Sequence, residues 1–171
     1  MERITKEITL YTFDELSEET KEIARNWFRE GLTGEFEQEC TLDDAKAIGL
    51  DIIELSQHRA NKGKFIEGAV ECAQAIIEDH GKECETYKTA RSFLESLDSL
   101  NVEYPEDEEG YRSEAYEDEK EDLEKEFLQS LLSDYQYMLD KDIGYQNSDE
   151  AVDENIRANG YTFRENGKRE D

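Results

Sequence analysis

Three cysteines, Cys40, Cys72 and Cys84, and two histidines, His58 and His80, are the side chains best suited to metal binding or thiol catalysis. Cys72, His80 and Cys84 follow a C-x7-H-x3-C spacing, which matches no compact zinc knuckle, and Cys40 would have to join from a distance. Cys72 is flanked by Ala69, Val70, Ala73 and Ile76, so it reads as a buried structural thiol. A Cys–His pair acting as nucleophile needs positive charge to hold the thiolate, and its surroundings here are acidic. The chain lacks G-x-S-x-G, a phosphate-cradling glycine loop and H-E-x-x-H. Among 46 carboxylates no acid/base pair stands out. The expectation is a non-catalytic protein with no cofactor and no metal site.

The chemistry the sequence does offer is electrostatic. Against 46 Asp and Glu stand 20 Lys and Arg, a net charge of −26 over 171 residues. Direct binding of nucleic acid needs a basic footprint, so it is excluded, as is docking on anionic lipid. The excess is concentrated: Glu103 to Glu126 holds 13 carboxylates against Arg112, Lys120 and Lys125, a local net of −10. Candidate binding residues are Glu106, Asp107, Glu108 and Glu109, followed by Glu114, Glu117, Asp118, Glu119, Glu121 and Asp122. On a helix, residues three and four apart are neighbours at about 5–6 Å, and like charges there cost a few tenths of a kcal/mol per pair. Duplex DNA carries one charge per roughly 1.7 Å of axis, so such a row could act as phosphate surrogates towards a basic groove. The plainer reading is a solvated helix face beside a disordered acidic loop. Calcium fits poorly. With Gly110 at position 6 of an EF-hand loop, position 1 falls on Pro105 and position 12 on Tyr116.

The elements that would carry these residues follow from periodicity. Ile4 to Phe13 reads as a strand. Ser17 caps a helix bearing Ile23, Trp27 and Phe28, stopped at Gly31 or Gly34. Thr41 and Asp44 suggest a capping box for a short helix from Leu42 to Ile48, closed by Gly49. Strands are expected at Leu50–Ser56 and Lys64–Ala69, joined by the polar turn His58–Lys64, whose Arg59, Lys62 and Lys64 could touch a partner or, on the plainer account, pair with the acids of the long helix. Val70–Asp79 reads as a helix that His80 and Gly81 end, the glycine supplying a left-handed turn. A further helix runs from Glu83 to Leu97. Residues 98–113 read as an acidic loop or linker, then the longest helix spans 114–141, with Leu123, Phe127, Leu131, Tyr135 and Leu139 stepping by four. Its first turns, almost entirely charged, should project beyond the core. Ser148 caps a last helix to Ala158, ended by Gly160. Tyr161–Arg164 is a terminal strand, and Asn166-Gly167 turns into a charged tail.

The fold class is α+β in a single domain, 1–171: a small antiparallel sheet carrying four to five helices, with the longest packed across it. The first and second strands are expected to be neighbours. With no apolar run near about 18 residues and no leader-like start, a cytoplasmic protein with reduced thiols is expected.

Three blocks resemble a known group. Tyr11 to Phe28 follows a YxFDELSxExKExAxxWF pattern. Gly63 to Leu94 follows GxFxxGAxxxAxxIxxxHGxxCETYxTAxxFL, and Ser148 to Arg169 follows SDExVxExIxANxYxFxxxGKR. Together they cover close to half of the chain, in order. They are similar to a group of small acidic proteins of tailed phages and prophages of proteobacteria, whose members are often labelled antitoxin-like or hypothetical. The resemblance implies a phage or prophage origin and a protein that stays in the host cytosol, and it carries over no catalytic residue. The acidic stretch from about Glu103 to Asp122 is where this chain is expected to depart from the group.

Two functions fit. The first is a DNA-mimic-like inhibitor of a host defence protein (anti-CRISPR or anti-restriction) or another basic nucleic-acid-binding protein, acting through the acidic residues by charge pairing and steering. The second is an antitoxin-like partner of a specific toxin, held by an apolar patch. High salt separates them, because it screens exposed charges and leaves apolar contacts.

Overall fold

The structure is a computed structural model that describes residues 1–56 and 58–170. The class is α+β, with six α-helices, one of them long, and two small antiparallel sheets among the described residues. The chain divides into two compact units, one formed by both ends and the other by Glu37–Asp140.

In the unit formed by the chain ends, the expected strand from Ile4 to Phe13 shrinks to β1, Tyr11–Thr12. Ile4, Ile8 and Leu10 are exposed and have no apolar layer to cover. Phe13 then starts a 3-10 turn, Phe13–Glu15, where the Glu15 carboxylate accepts from the Thr12 amide (2.9 Å) and hydroxyl (2.8 Å). Helix α1, Glu18–Glu30, begins where Ser17 accepts from the Thr20 amide (3.2 Å). Helix α6, Asp149–Asn159, begins at Ser148 in the same way and ends at Gly160, φ 65°. Strand β4, Thr162–Phe163, pairs with β1, and the expected charged tail instead folds back as β5, Arg169–Glu170. The order β1-β4-β5 therefore makes the first and last parts of the chain neighbours, correcting the expected pairing of the first two strands. Phe13, Ala24, Val152, Ile156 and Phe163 form the core, flanked by Trp27 and Phe28, whereas Ile23 stays exposed. A two-pronged ion pair from Arg25 to Asp153 (2.6 and 2.8 Å) ties α1 to α6.

In the unit from Glu37 to Asp140, α2 spans Glu35–Ala47, beginning well before the expected Leu42. Thr41 is no cap. It lies inside the helix and donates its hydroxyl to the Glu37 carbonyl (2.9 Å), which satisfies it without ending the turn. Gly49, at φ 86°, turns the chain into β2, Leu50–Glu54, which pairs antiparallel with β3, Lys62–Phe65. Helix α3, Ala69–Asp79, follows, and His80 caps it in an extended conformation, with Gly81 outside the left-handed region. Helix α4, Glu85–Glu103, outruns its expected end at Leu97, so the loop is Tyr104–Ser113 rather than 98–113. Leu100, buried, extends the apolar stripe and keeps the added turns helical.

Helix α5, Glu114–Gln146, packs on the hairpin. Gly63 lies so close that a Cβ there would sit 2.9 Å from the Asp51 carbonyl and 3.0 Å from Leu132. Phe127 stacks between Phe65 (5.5 Å) and Phe93 (4.3 Å), joining hairpin, α5 and α4 in one column. A polar chain crosses the same core. Tyr135, fully buried, donates to Asp44 (2.8 Å), and His80 Nδ1 meets the buried Thr86 hydroxyl (2.6 Å).

Candidate partner-binding surface

The acidic residues occupy the Tyr104–Ser113 loop and the start of α5, and the loop is folded. Asp107 accepts from the amides of Glu109 and Tyr111, both at 2.9 Å, while its own amide donates to the Tyr111 carbonyl (2.8 Å). Gly110, at φ 87°, makes the reversal without a Cβ penalty. Arg112 folds underneath, its guanidinium 4.7 Å from the Tyr116 ring, donating to Asn101 (2.5 Å) and lying 3.7 Å from Glu106. Tyr116, buried, donates to the same Asn101 oxygen (2.6 Å). The first turns of α5 are therefore pinned against the end of α4 and do not project freely. Their acids still suit the helix, since Glu114 and Glu117 sit at the positive end of its dipole.

The ten candidate residues divide by role. Asp107 builds the loop, Glu106 lies beside Arg112, and Glu121 pairs with Lys125 (3.1 Å). Glu119 accepts from the Tyr104 hydroxyl (3.1 Å), and this hydrogen bond, reinforced by the carboxylate's charge, raises that phenol's pKa above the ordinary value. Glu108, Glu109, Glu114, Glu117, Asp118 and Asp122 are exposed, and their carboxylates have no hydrogen-bond or ion-pair partner among the described residues. Glu114, Glu117, Asp118 and Glu121 recur at three and four residues and so share the outer side of α5, away from buried Tyr116.

The basic hairpin does not neutralise this face, contrary to expectation. Among the described residues, the ion pair Arg59 makes is with Glu54 of its own hairpin (4.0 Å). Lys62 and Lys64 flank Gly63, which packs at Leu132, about 15 Å along α5 from Asp122 at 1.5 Å per residue.

On the other side of the acidic turns, a groove runs between α4 and α5. Two hollows, of about 300 and 400 Å³, share Ser96, Leu123 and Glu126. Phe93 and Phe127 floor one end, and Glu103, Glu119 and Asp122 rim the other. Sequence reasoning missed this groove, although Ser92, Ser96, Ser99 and Glu103 already stood at helical spacing; the loop expected from residue 98 hid it.

The thiols separate as their neighbours suggested. Cys72 is buried, and desolvation pushes its pKa up to about 12, while Cys40 and Cys84 are exposed. Among the described residues no group of three or more His, Cys, Asp or Glu side chains could hold a metal ion, and no helix is long and apolar enough to cross a membrane. No protein-family model, curated protein or solved structure matches the chain.

Proposed function

We propose that this chain is a phage-encoded, non-catalytic acidic binding protein that occupies a nucleic-acid-binding surface of a basic host protein, most naturally a defence protein of the restriction or CRISPR kind. The observation that carries the reading is the set of six carboxylates left without internal partners on an ordered loop and helix start. A purely solvated acidic tail would need no such scaffold. Here Asp107, Arg112 and Tyr116 hold the acids in place, so less conformational entropy is lost when a partner arrives. The acidic turns from Glu114 to Glu126 extend about 20 Å at 1.5 Å per residue. That length suits a row of phosphate-binding cations, and the field of the whole chain would speed encounter.

The test is capture from a proteobacterial lysate on immobilised wild-type protein and on a Glu114→Gln, Glu117→Gln, Asp118→Asn, Glu121→Gln variant. The expected result is a nucleic-acid-binding protein retained at about 0.1 M salt and released near 1 M, where the screening length falls from about 10 to 3 Å. Duplex DNA should compete for it, and the variant should not hold it. A partner that survives high salt and ignores the four substitutions would refute the proposal and favour the antitoxin-like reading.

A further inference from the structure

The α4–α5 groove is distinct from the outer acidic face, and its lining is specific. Its walls on the α4 side are the short side chains of Ser92, Ser96 and Ser99, all exposed, with no side-chain hydrogen bond among the described residues. Short side chains let another backbone approach closely, and half-buried Leu123 with the edges of the nearly buried Phe93 and Phe127 gives the floor a narrow apolar strip. The rim is polarised. Lys88 stands at the apolar end, Glu126 in the stretch common to both hollows, and Glu103, Glu119 and Asp122 crowd the other end. From Lys88 to Glu103 the groove measures about 22 Å along α4 at 1.5 Å per residue. A second copy of this chain is a poor occupant, since each carries a net charge of −26.

We infer that this groove seats an amphipathic helix of a basic partner, about four turns long, with apolar side chains over Phe93 and Phe127 and Lys or Arg over Glu103, Asp122 and Glu126. This rests on the reading of the partner as a basic protein and adds how it docks: a helix in a groove, anchored by side chains at i, i+3/i+4 and i+7. The outer face of α5 steers the partner by long-range charge, and the groove supplies contacts that depend on shape. The partner needs both, so near 1 M salt the groove contacts that remain are too weak to retain it.

The probe is a fluorescent helical peptide of about sixteen residues, with leucines at that spacing and its lysines and arginines gathered in one half, titrated by anisotropy at 0.1 and 0.5 M salt. Ser96→Trp, at an exposed position, should fill the groove and weaken binding at least about tenfold, and a scrambled peptide of the same composition should bind as poorly. Ser96→Leu serves as the milder companion, and circular dichroism checks that both variants keep their helices. Glu103→Gln with Asp122→Asn and Glu126→Gln should cost roughly fivefold at low salt and flatten the salt dependence. The outer-face variant should stay within about twofold of wild type, because those side chains do not line the groove. Equal binding of the scrambled peptide, or indifference to both Ser96 substitutions, would overturn the inference. So would self-association of the protein that Ser96→Trp abolishes, since a second copy would then be the occupant. Peptide binding without lysate capture would refute the proposed function and leave the groove standing; the reverse would refute only the groove.

Discussion

Replacing Tyr135 by phenylalanine tests the polar chain that crosses the larger core, and its signature lies in the pH dependence. The side chain is 1% exposed, and its hydroxyl donates to Asp44 at 2.8 Å. A hydrogen bond to a charged acceptor contributes about 1.5–3 kcal/mol. Asp44 is half exposed, so water can take over the lost donor and the cost at pH 7 should fall at the low end, about 1.5 kcal/mol. Burial, reinforced by the Asp44 carboxylate, raises the phenol's pKa far above the ordinary value. Above about pH 10 the unfolded chain therefore releases this proton while the folded chain keeps it. The unfolded state then binds fewer protons, so stability falls with rising pH, by up to about 1.4 kcal/mol per unit. The wild type is subject to this loss and Tyr135→Phe is not, so the two stabilities should converge and meet near about pH 11. Cys72, also raised by burial, imposes a similar fall starting near about pH 9. That fall is common to both proteins and cancels in their difference. Urea unfolding followed by far-ultraviolet circular dichroism between pH 7 and 11.5 gives the comparison. A difference that stays constant from pH 9 to 11.5 would refute the buried, proton-retaining phenol.

Two further outcomes follow from single contacts. Asp153→Asn removes the two-pronged carboxylate partner of Arg25, whose pKa its hydrogen bonds to Asp153 raise and whose side chain is 13% exposed, and leaves it the Glu22 carboxylate at 3.2 Å. Because Glu22 still compensates the guanidinium, the substitution should cost about 1.5–3 kcal/mol in urea unfolding, below the loss of a fully buried pair. Asp107→Ala deprives the Glu109 and Tyr111 amides of their acceptor. Their hydrogen exchange should accelerate at least about tenfold while global stability changes by about 1 kcal/mol or less, and unchanged exchange would mean that the loop is held by other contacts.

Many decisions that depend on residues within one or two turns of each other were legible in the sequence, though not all: Thr41 lies inside α2 instead of capping it, and Gly81 is not left-handed. Ser17 and Ser148 mark helix starts because their hydroxyls satisfy amides three residues on. Gly49 and Gly160 mark stops because the left-handed turn disfavours a side chain. The four-residue step from Leu123 to Leu139 marks the inner stripe of α5, and the place of the acidic cluster is a matter of composition alone. Tertiary structure decided what depends on distant partners. Tyr11 and Thr12 form a strand because Thr162 and Phe163 come alongside, and no local propensity encodes that pairing across most of the chain. Helix α4 continues past Asp98 because Leu97 and Leu100 are buried, and the acids beyond it become an ordered surface because Arg112 finds Asn101 and Tyr116. The charges were legible one residue at a time. Which carboxylates remain without a partner, and that a groove opens beside them, is settled by burial and pairing in three dimensions.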